Sequence, residues 1–242
     1  MRIIYGRSEE AFDGFVAYVV QLVDQFGCER ILEIGAGRNP ALTPDFVYSR
    51  GLQYTLLDVS SEEMEMAPSV FPKIRANIAS DNLEHIGEYD LVFSRMLAEH
   101  VEDGAVFHRN VFRLLSKNGI AFHFFPTLYA PPFVLNWLMP EKLTDLLVYL
   151  VQPTRRREGK HPKFPAYYRW CRGPTKRQFD RFASLGYHIH EYTGFFGHCG
   201  YYEEFKPIEN LHHRFVKWLI AHPVPSLTSF AYLVLSKPNP KK

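Results

Sequence analysis

Short apolar runs alternate with stretches of helical spacing through the first half of the chain, and this alternation constrains the fold most. The runs are "RILEI", "YTLLDV", "KIRANI", "YDLVFSR" and "IAFHFF". Between and before them, apolar residues recur at helical intervals: Phe12, Phe15, Val16, Val19, Val20 and Val23 over 10–27, and Val106, Val111, Phe112, Leu114 and Leu115 over 103–116. The second of these should end at Asn118-Gly119. Asn39 followed by Pro40 reads as an N-cap and first helical residue, predicting a helix from about residue 40. Strands that are apolar on both faces need helices above and below, so the pattern predicts a doubly wound α/β domain with a mostly parallel sheet.

After Phe125 the texture changes. Residues 127–175 carry seven prolines and a basic cluster. Leu143, Leu146, Leu147, Leu150 and Val151 form an amphipathic stripe behind Pro140. Alternation then resumes: a helix near 175–185, a strand at 187–192, a helix at 208–221 and a last strand "SFAYLVLS". The expectation is one domain over 1–242, with 127–175 inserted after strand five as a lid or acceptor-binding subdomain.

From Pro153 to Arg181 there are ten Lys or Arg and two acids, a local charge of +8. The whole chain is +2, so the remainder is −6. Such a segment can be a solvated face, or can bind a phosphorylated or nucleotide-linked acceptor, an anionic membrane surface, or RNA. RNA binding would call for a wider basic field and a known binding module, and neither is evident. Three widely spaced cysteines fit a reducing compartment. The start "MRIIYGRSEE" meets charge too early for a secretory signal, and the apolar region 119–139 is broken by Pro126, Pro131 and Pro132. A cytoplasmic protein is expected, with a peripheral place at a membrane as the variant of that reading.

The stretch "ILEIGAGRNP" carries the chemistry. Gly35 and Gly37 follow the first apolar run and permit close backbone approach to a ligand. Asp58 ends the second, where a carboxylate can accept both hydroxyl hydrogens of a ribose. A dinucleotide loop would place a third glycine at position 40, where proline stands. Glu33, two residues before Gly35, suits a cationic ligand better than a diphosphate.

The successive segments "LEIGAGRNP", "YTLLDVS", "ANIAS", "YDLVFSRMLAEHVED" and "VFRLLSKNGIAFHFF" resemble, in order, the motifs of class I S-adenosylmethionine-dependent methyltransferases over about residues 28–126. The ending "FAYLVLSKP" is similar to that family's last hairpin, which implies a seven-stranded sheet whose final strand is antiparallel. The resemblance implies that Glu33, Gly35, Ala36 and Gly37 hold the methionine part of S-adenosylmethionine. It places Asp58 on the ribose, Val59 on the adenine face, Asn77 and Ile78 at the adenine edge, and Ser94 and Arg95 at the methionine end. Arg38 and Asn39 depart from the family, which often has a small residue there.

Methyl transfer from a sulfonium needs positioning more than a strong acid or base. His100 in "LAEHVED" is the candidate general base, against a structural role often taken by histidines at this place in relatives. His198, Tyr201 and Tyr202 in "HCGYYEEF", with Tyr168, are candidates to line an acceptor pocket, or are core and rim aromatics. Adjacent His212 and His213 point to different helix faces, which favours a surface position. Cys171, His198, Cys199 and His212 lack the spacing of a zinc site, so no metal is expected. "FPAYYRWCRGPT" and "SLGYHIHEY" loosely resemble methyltransferases of envelope-polysaccharide or secondary-metabolite pathways. A small-molecule acceptor is therefore expected, with oxygen the preferred atom. Two rivals stay open: a nicotinamide-dependent oxidoreductase, and a catalytically silent scaffold of the same fold.

Overall fold

The computed structural model describes residues 1–80, 83, 86–128, 165–197 and 206–238. Its strands are β1 (Arg2–Arg7), β2 (Arg30–Ile34), β3 (Gln53–Asp58), β4 (Lys73–Arg75), β5 (Tyr89–Arg95), β6 (Leu115–Pro126), β7 (His188–Phe196) and β8 (Phe230–Ser236). They form one sheet in the order β1-β7-β8-β6-β5-β2-β3-β4. Only β8 runs antiparallel, against β6 on one side and β7 on the other. The seven strands expected are all there. The eighth is the N-terminal β1, which pairs parallel with β7 at the sheet edge.

The helices are α1 (Ser8–Asp13), α2 (Phe15–Phe26), α3 (Pro44–Ser49), α4 (Ser61–Glu65), α5 (Gly104–Leu114), α6 (Lys176–Ser184) and α7 (Lys206–Ala221). The single helix expected over 10–27 is two, divided at Gly14. No helix begins at Pro40. The Thr43-Pro44 pair opens α3 instead, with Thr43 Oγ1 accepting from the Phe46 amide at 3.3 Å. The residues before it pass over the buried carboxylate of Glu33, to which the Ala41 amide donates at 2.9 Å. Asn118-Gly119 does not stop α5 either. That helix ends at Leu114, and Asn118 takes a left-handed conformation (φ +62°) inside β6, beside a register shift against β5.

One face of the sheet carries Phe93, Phe122, Phe124 and Tyr232 and is covered by α1 and α2 through Phe12, Phe15 and Tyr18. Phe15 touches four of these rings and is almost fully buried, a burial worth about 2–3 kcal/mol. The opposite face carries Ser94 and His123 beneath Phe107 and His108 of α5, with Trp170 and Phe182 outside them. Strand order reverses between β2 and β5, so the loops leaving their carboxyl ends diverge and open a crevice. That is where Gly35–Gly37 and Arg95–His100 stand.

The segment after β6 leaves and returns at one place. The amide of Leu128 donates to the carbonyl of Cys171 at 3.2 Å. The expected amphipathic stripe at 143–151 and half of the basic cluster (Arg155, Arg156, Arg157, Lys160 and Lys163) lie outside the described residues.

Candidate active site

Glu33 sits at the end of β2, 2% exposed. Its carboxylate accepts from the Ala41 amide at 2.9 Å and from the hydroxyl of Tyr54. Burial pushes this carboxyl up from its usual range, opposed by those two donors and by the nearby Arg95 cation. Tyr54 is held neutral by burial beside that acid. The loop after β2 thus closes on an internal carboxyl, with the chain of 35–41 wrapped over it.

Gly35 and Gly37 both take left-handed angles, φ +73° and +52°. A Cβ on Gly35 would meet Leu97 Cδ1 at 2.4 Å, so the loop after β5 closes on the glycine itself. The Gly37 amide donates to Asp58 Oδ2 at 2.9 Å, and the Ser60 amide to Oδ1 at 2.9 Å. Asp58 therefore ties the β2 loop to the start of α4, whose cap is Ser60. Arg38 adds a second tie through Glu63, with Nε to Oε2 at 2.6 Å. The departure from a small residue at 38 has this structural use. Beside Asp58, Val59 is 57% exposed, an apolar side chain left open at the crevice edge.

Asn77 Oδ1 accepts from the Ala79 amide at 2.9 Å, and the Asn77 carbonyl from Ser80 at 2.9 Å, making a tight turn around buried Ile78. The turn is anchored from below by Asn110 of α5, whose amide nitrogen donates to the Ile78 carbonyl at 2.9 Å and to that of Ser80. Sequence reasoning passed over Asn110 and Tyr54. The signal existed: each is a polar group within an otherwise apolar helix face or strand, and each needed a partner.

Ser94 and Arg95 end β5 on opposite faces. Ser94 is fully buried, its hydroxyl 2.8 Å from His123 Nδ1, and so lies beneath α5. Arg95 is exposed, its guanidinium 5.4 Å from the centre of the Phe15 ring. Met96 follows in a left-handed conformation (φ +51°) that turns the chain into the next loop. Phe12 and Val16, each 42% exposed, lie on the same helical stretch as Phe15.

His100 is exposed, and its Nδ1 is 2.9 Å from the Pro165 carbonyl, which makes that nitrogen the donor. Its Nε2 lies 3.7 Å from Glu99 Oε1. Glu99 is 3% exposed and its Oε2 has no hydrogen-bond partner among the described residues. Burial pushes its carboxyl up to about 8. The Glu99 carbonyl receives the amides of Tyr167 at 2.7 Å and Tyr168 at 3.0 Å, so residues 165–171 are laced onto the loop after β5. Tyr168 itself is buried, with φ +50°. His198, Tyr201 and Tyr202 lie outside the described residues. Cys171 and Cys28 are buried free thiols, and His213 is on the exposed side of α7.

The crevice fits S-adenosylmethionine by its chemistry. Two left-handed glycines lie over a buried acid, a carboxylate is held by loop amides, and an apolar side chain stands open beside it. The sequence comparisons agree. Residues 32–123 match the family model described as a methyltransferase domain. A search of curated proteins finds no match in sequence. Among solved structures, the fold is similar to an S-adenosylmethionine-dependent methyltransferase from Mesorhizobium loti, at 16% identity and TM-score 0.57, covering 93% of this chain and 99% of that one. It is also similar to the plantazolicin methyltransferase BpumL in complex with SAH, at 14% identity and TM-score 0.55, covering 96% and 86%. The [4+2]-cyclase SpnF shares the fold at 13% identity and TM-score 0.57, covering 97% and 84%. Residues 32–123 thus carry a methyltransferase domain, within a fold shared with S-adenosylmethionine-dependent methyltransferases. No helix among the described residues is long and apolar enough to cross a membrane.

Proposed function

We propose that this methyltransferase acts on a small anionic acceptor held at the carboxyl ends of β5 and β6, with oxygen as the accepting atom. The observation that supports the reading best is exposed Arg95 on Phe15, bordered by half-exposed Phe12 and Val16. A cation within an apolar rim suits an anionic group carried on an apolar frame. Acceptors of envelope or secondary-metabolite pathways have that character, and the resemblance of 164–175 and 184–192 points the same way.

S-adenosylmethionine, when bound, supplies a methyl group already activated on a sulfonium. The chain's own part is placement. Gly35, Ala36 and Gly37 give the methionine part a backbone wall, and Glu33 keeps a negative charge beneath it. Each Asp58 oxygen already accepts one amide and retains capacity for a ribose hydroxyl. Val59 offers an apolar face to adenine, and the Asn77–Ile78 turn an edge. Ser94 supports the methionine end from below, through His123, while Arg95 borders it directly. His100 serves as base through Nε2, because Nδ1 is the donor to Pro165. Tyr168 is assigned to the acceptor side of the crevice; the other residues assigned to it, His198, Tyr201 and Tyr202, and most of the insertion at 127–175 lie outside the described residues.

Titration calorimetry with S-adenosylhomocysteine, and NAD as control, tests the donor half. Micromolar binding of the former alone is expected; selective binding of NAD would overturn it. A screen of anionic hydroxyl compounds with isotope-labelled donor tests the acceptor half. Turnover confined to cationic or neutral amines would refute the anionic oxygen acceptor. Binding without transfer to any compound would favour a non-methylating use of the fold, for which the likeness to the cyclase SpnF is the supporting observation.

A further inference from the structure

Helix α7 buries one face and leaves a second apolar face uncovered. Val216 and Leu219 pack with Phe196 beside β1 and β7. Leu211, Phe215 and Trp218 instead stand 69%, 48% and 51% exposed. They follow one another at intervals of four and three, which at about 100° per residue aligns them in a single stripe. The stripe is ordered within itself. Phe215 and Trp218 stack at 6.1 Å and 10°, and Trp218 stacks on His222 at 5.3 Å and 24°. It is not needed for the core, since the opposite side of the helix already supplies that packing.

The charge beside the stripe is of one sign. Arg214 and Lys217 are exposed and flank it. Helix α7 itself, Lys206–Ala221, carries three Lys or Arg and one acid, a local charge of +2. That acid, Glu209, is already engaged by Lys206 at 2.8 Å. A helix with Leu, Phe and Trp on one exposed side and basic residues at its border is built to lie in a bilayer interface. The rings reach the acyl boundary while the cations meet anionic headgroups. A second copy of this chain is the poorer occupant. Stacking two such stripes around a twofold axis would bring Arg214 and Lys217 of both copies together, with like charges facing.

We propose that α7 is a membrane-surface docking site for an anionic lipid bilayer, through Leu211, Phe215 and Trp218 with Arg214 and Lys217. This is independent of the acceptor reading and lies outside the basic segment 153–181.

The test is co-sedimentation of the full chain with vesicles of phosphatidylcholine, and of phosphatidylcholine with about one third phosphatidylglycerol. Binding to the mixed vesicles only is expected, falling as salt is raised. The pair Phe215→Ser with Trp218→Ser should lower the partition on the order of tenfold or more. The pair Arg214→Glu with Lys217→Glu should lower it comparably and remove most of the salt dependence. Both pairs are exposed, so S-adenosylhomocysteine affinity should be unchanged, which separates loss of docking from loss of folding. Equal binding to both vesicle types, or undiminished binding by the Phe215/Trp218 pair, would overturn the proposal. So would concentration-dependent dimerisation that the same pair abolishes in the absence of lipid binding, which would make the stripe a contact between copies.

Discussion

Asp58 is the residue on which the loop after β2 turns, and the proposed donor site with it. Its two oxygens each fix a backbone amide, at Gly37 and Ser60. Replacing it by Ala should weaken S-adenosylhomocysteine binding at least tenfold in calorimetry, while thermal unfolding stays cooperative; unchanged affinity would remove the ribose assignment. Asn should fall between the two, since its amide oxygen can keep one of the two amides. Tyr54→Phe tests the support beneath the loop. It removes a hydroxyl from a carboxylate that is 2% exposed, at a cost of about 1–3 kcal/mol in denaturant unfolding. A near-zero cost would mean that Glu33 finds water instead. Asp58 was readable from its place after the second apolar run. Tyr54 was not, because a tyrosine in a strand reads equally well as plain packing until its neighbour across the sheet is known.

At the scale of elements, α5 is the joint between the 77–80 turn and the loop after β5. Asp103 caps it, with Oδ1 accepting from Ala105 at 2.9 Å and Val106 at 3.0 Å. Asn110 holds the turn at 77–80. Asp103→Ala should cost about 1 kcal/mol of stability without altering donor affinity. Asn110→Ala should do both, as it frees the turn that carries Asn77; an unaffected affinity would show that the turn keeps its shape unaided. The helix itself was clear in the sequence from its apolar spacing. Its anchoring role was not, since nothing local says which loop lies against residue 110. The misplaced helix start at Pro40 has the same origin. Asn39-Pro40 and Thr43-Pro44 offer the same cap signal, and nothing local chooses between them; the chain opens α3 at the second, where Thr43 accepts from the Phe46 amide.

The whole molecule should be most stable in a limited pH window. His123 is fully buried and its pKa is lowered to about 3, and burial lowers that of His108 well below its usual value. Both are neutral in the fold. Their contribution is fully present above their ordinary value near 6.5 and is lost as pH falls toward 3, because only the unfolded chain takes up the protons. Glu99 acts in the opposite sense. Raised to about 8, it keeps its proton in the fold, so stability is full below its ordinary value near 4.5 and declines as pH rises toward 8. Denaturant unfolding across pH should therefore show losses on both sides, each on the order of a few kcal/mol. Glu99→Gln should flatten the alkaline side alone. Persistence of that slope in the variant would mean the carboxyl is ionised in the fold.

The sequence by itself determined the class of architecture, the order of its elements and the place of the glycine loop. These rest on local properties: apolar runs that need cover on both faces, glycines at left-handed turns, and an acid at a strand end. Tertiary structure alone decided which groups answer one another. The eighth strand exists because Arg2–Arg7 finds the free edge of β7, with each partner 189 positions away in the chain (191 − 2 for the first pair). Glu33 meets Tyr54, Asn110 meets the 77–80 turn, Ser94 turns to His123 beneath α5, and Leu211, Phe215 and Trp218 stay uncovered while Val216 and Leu219 do not. Periodicity tells which side chains share a face. It does not tell what that face meets, because the partner is supplied by chain brought in from elsewhere by the sheet.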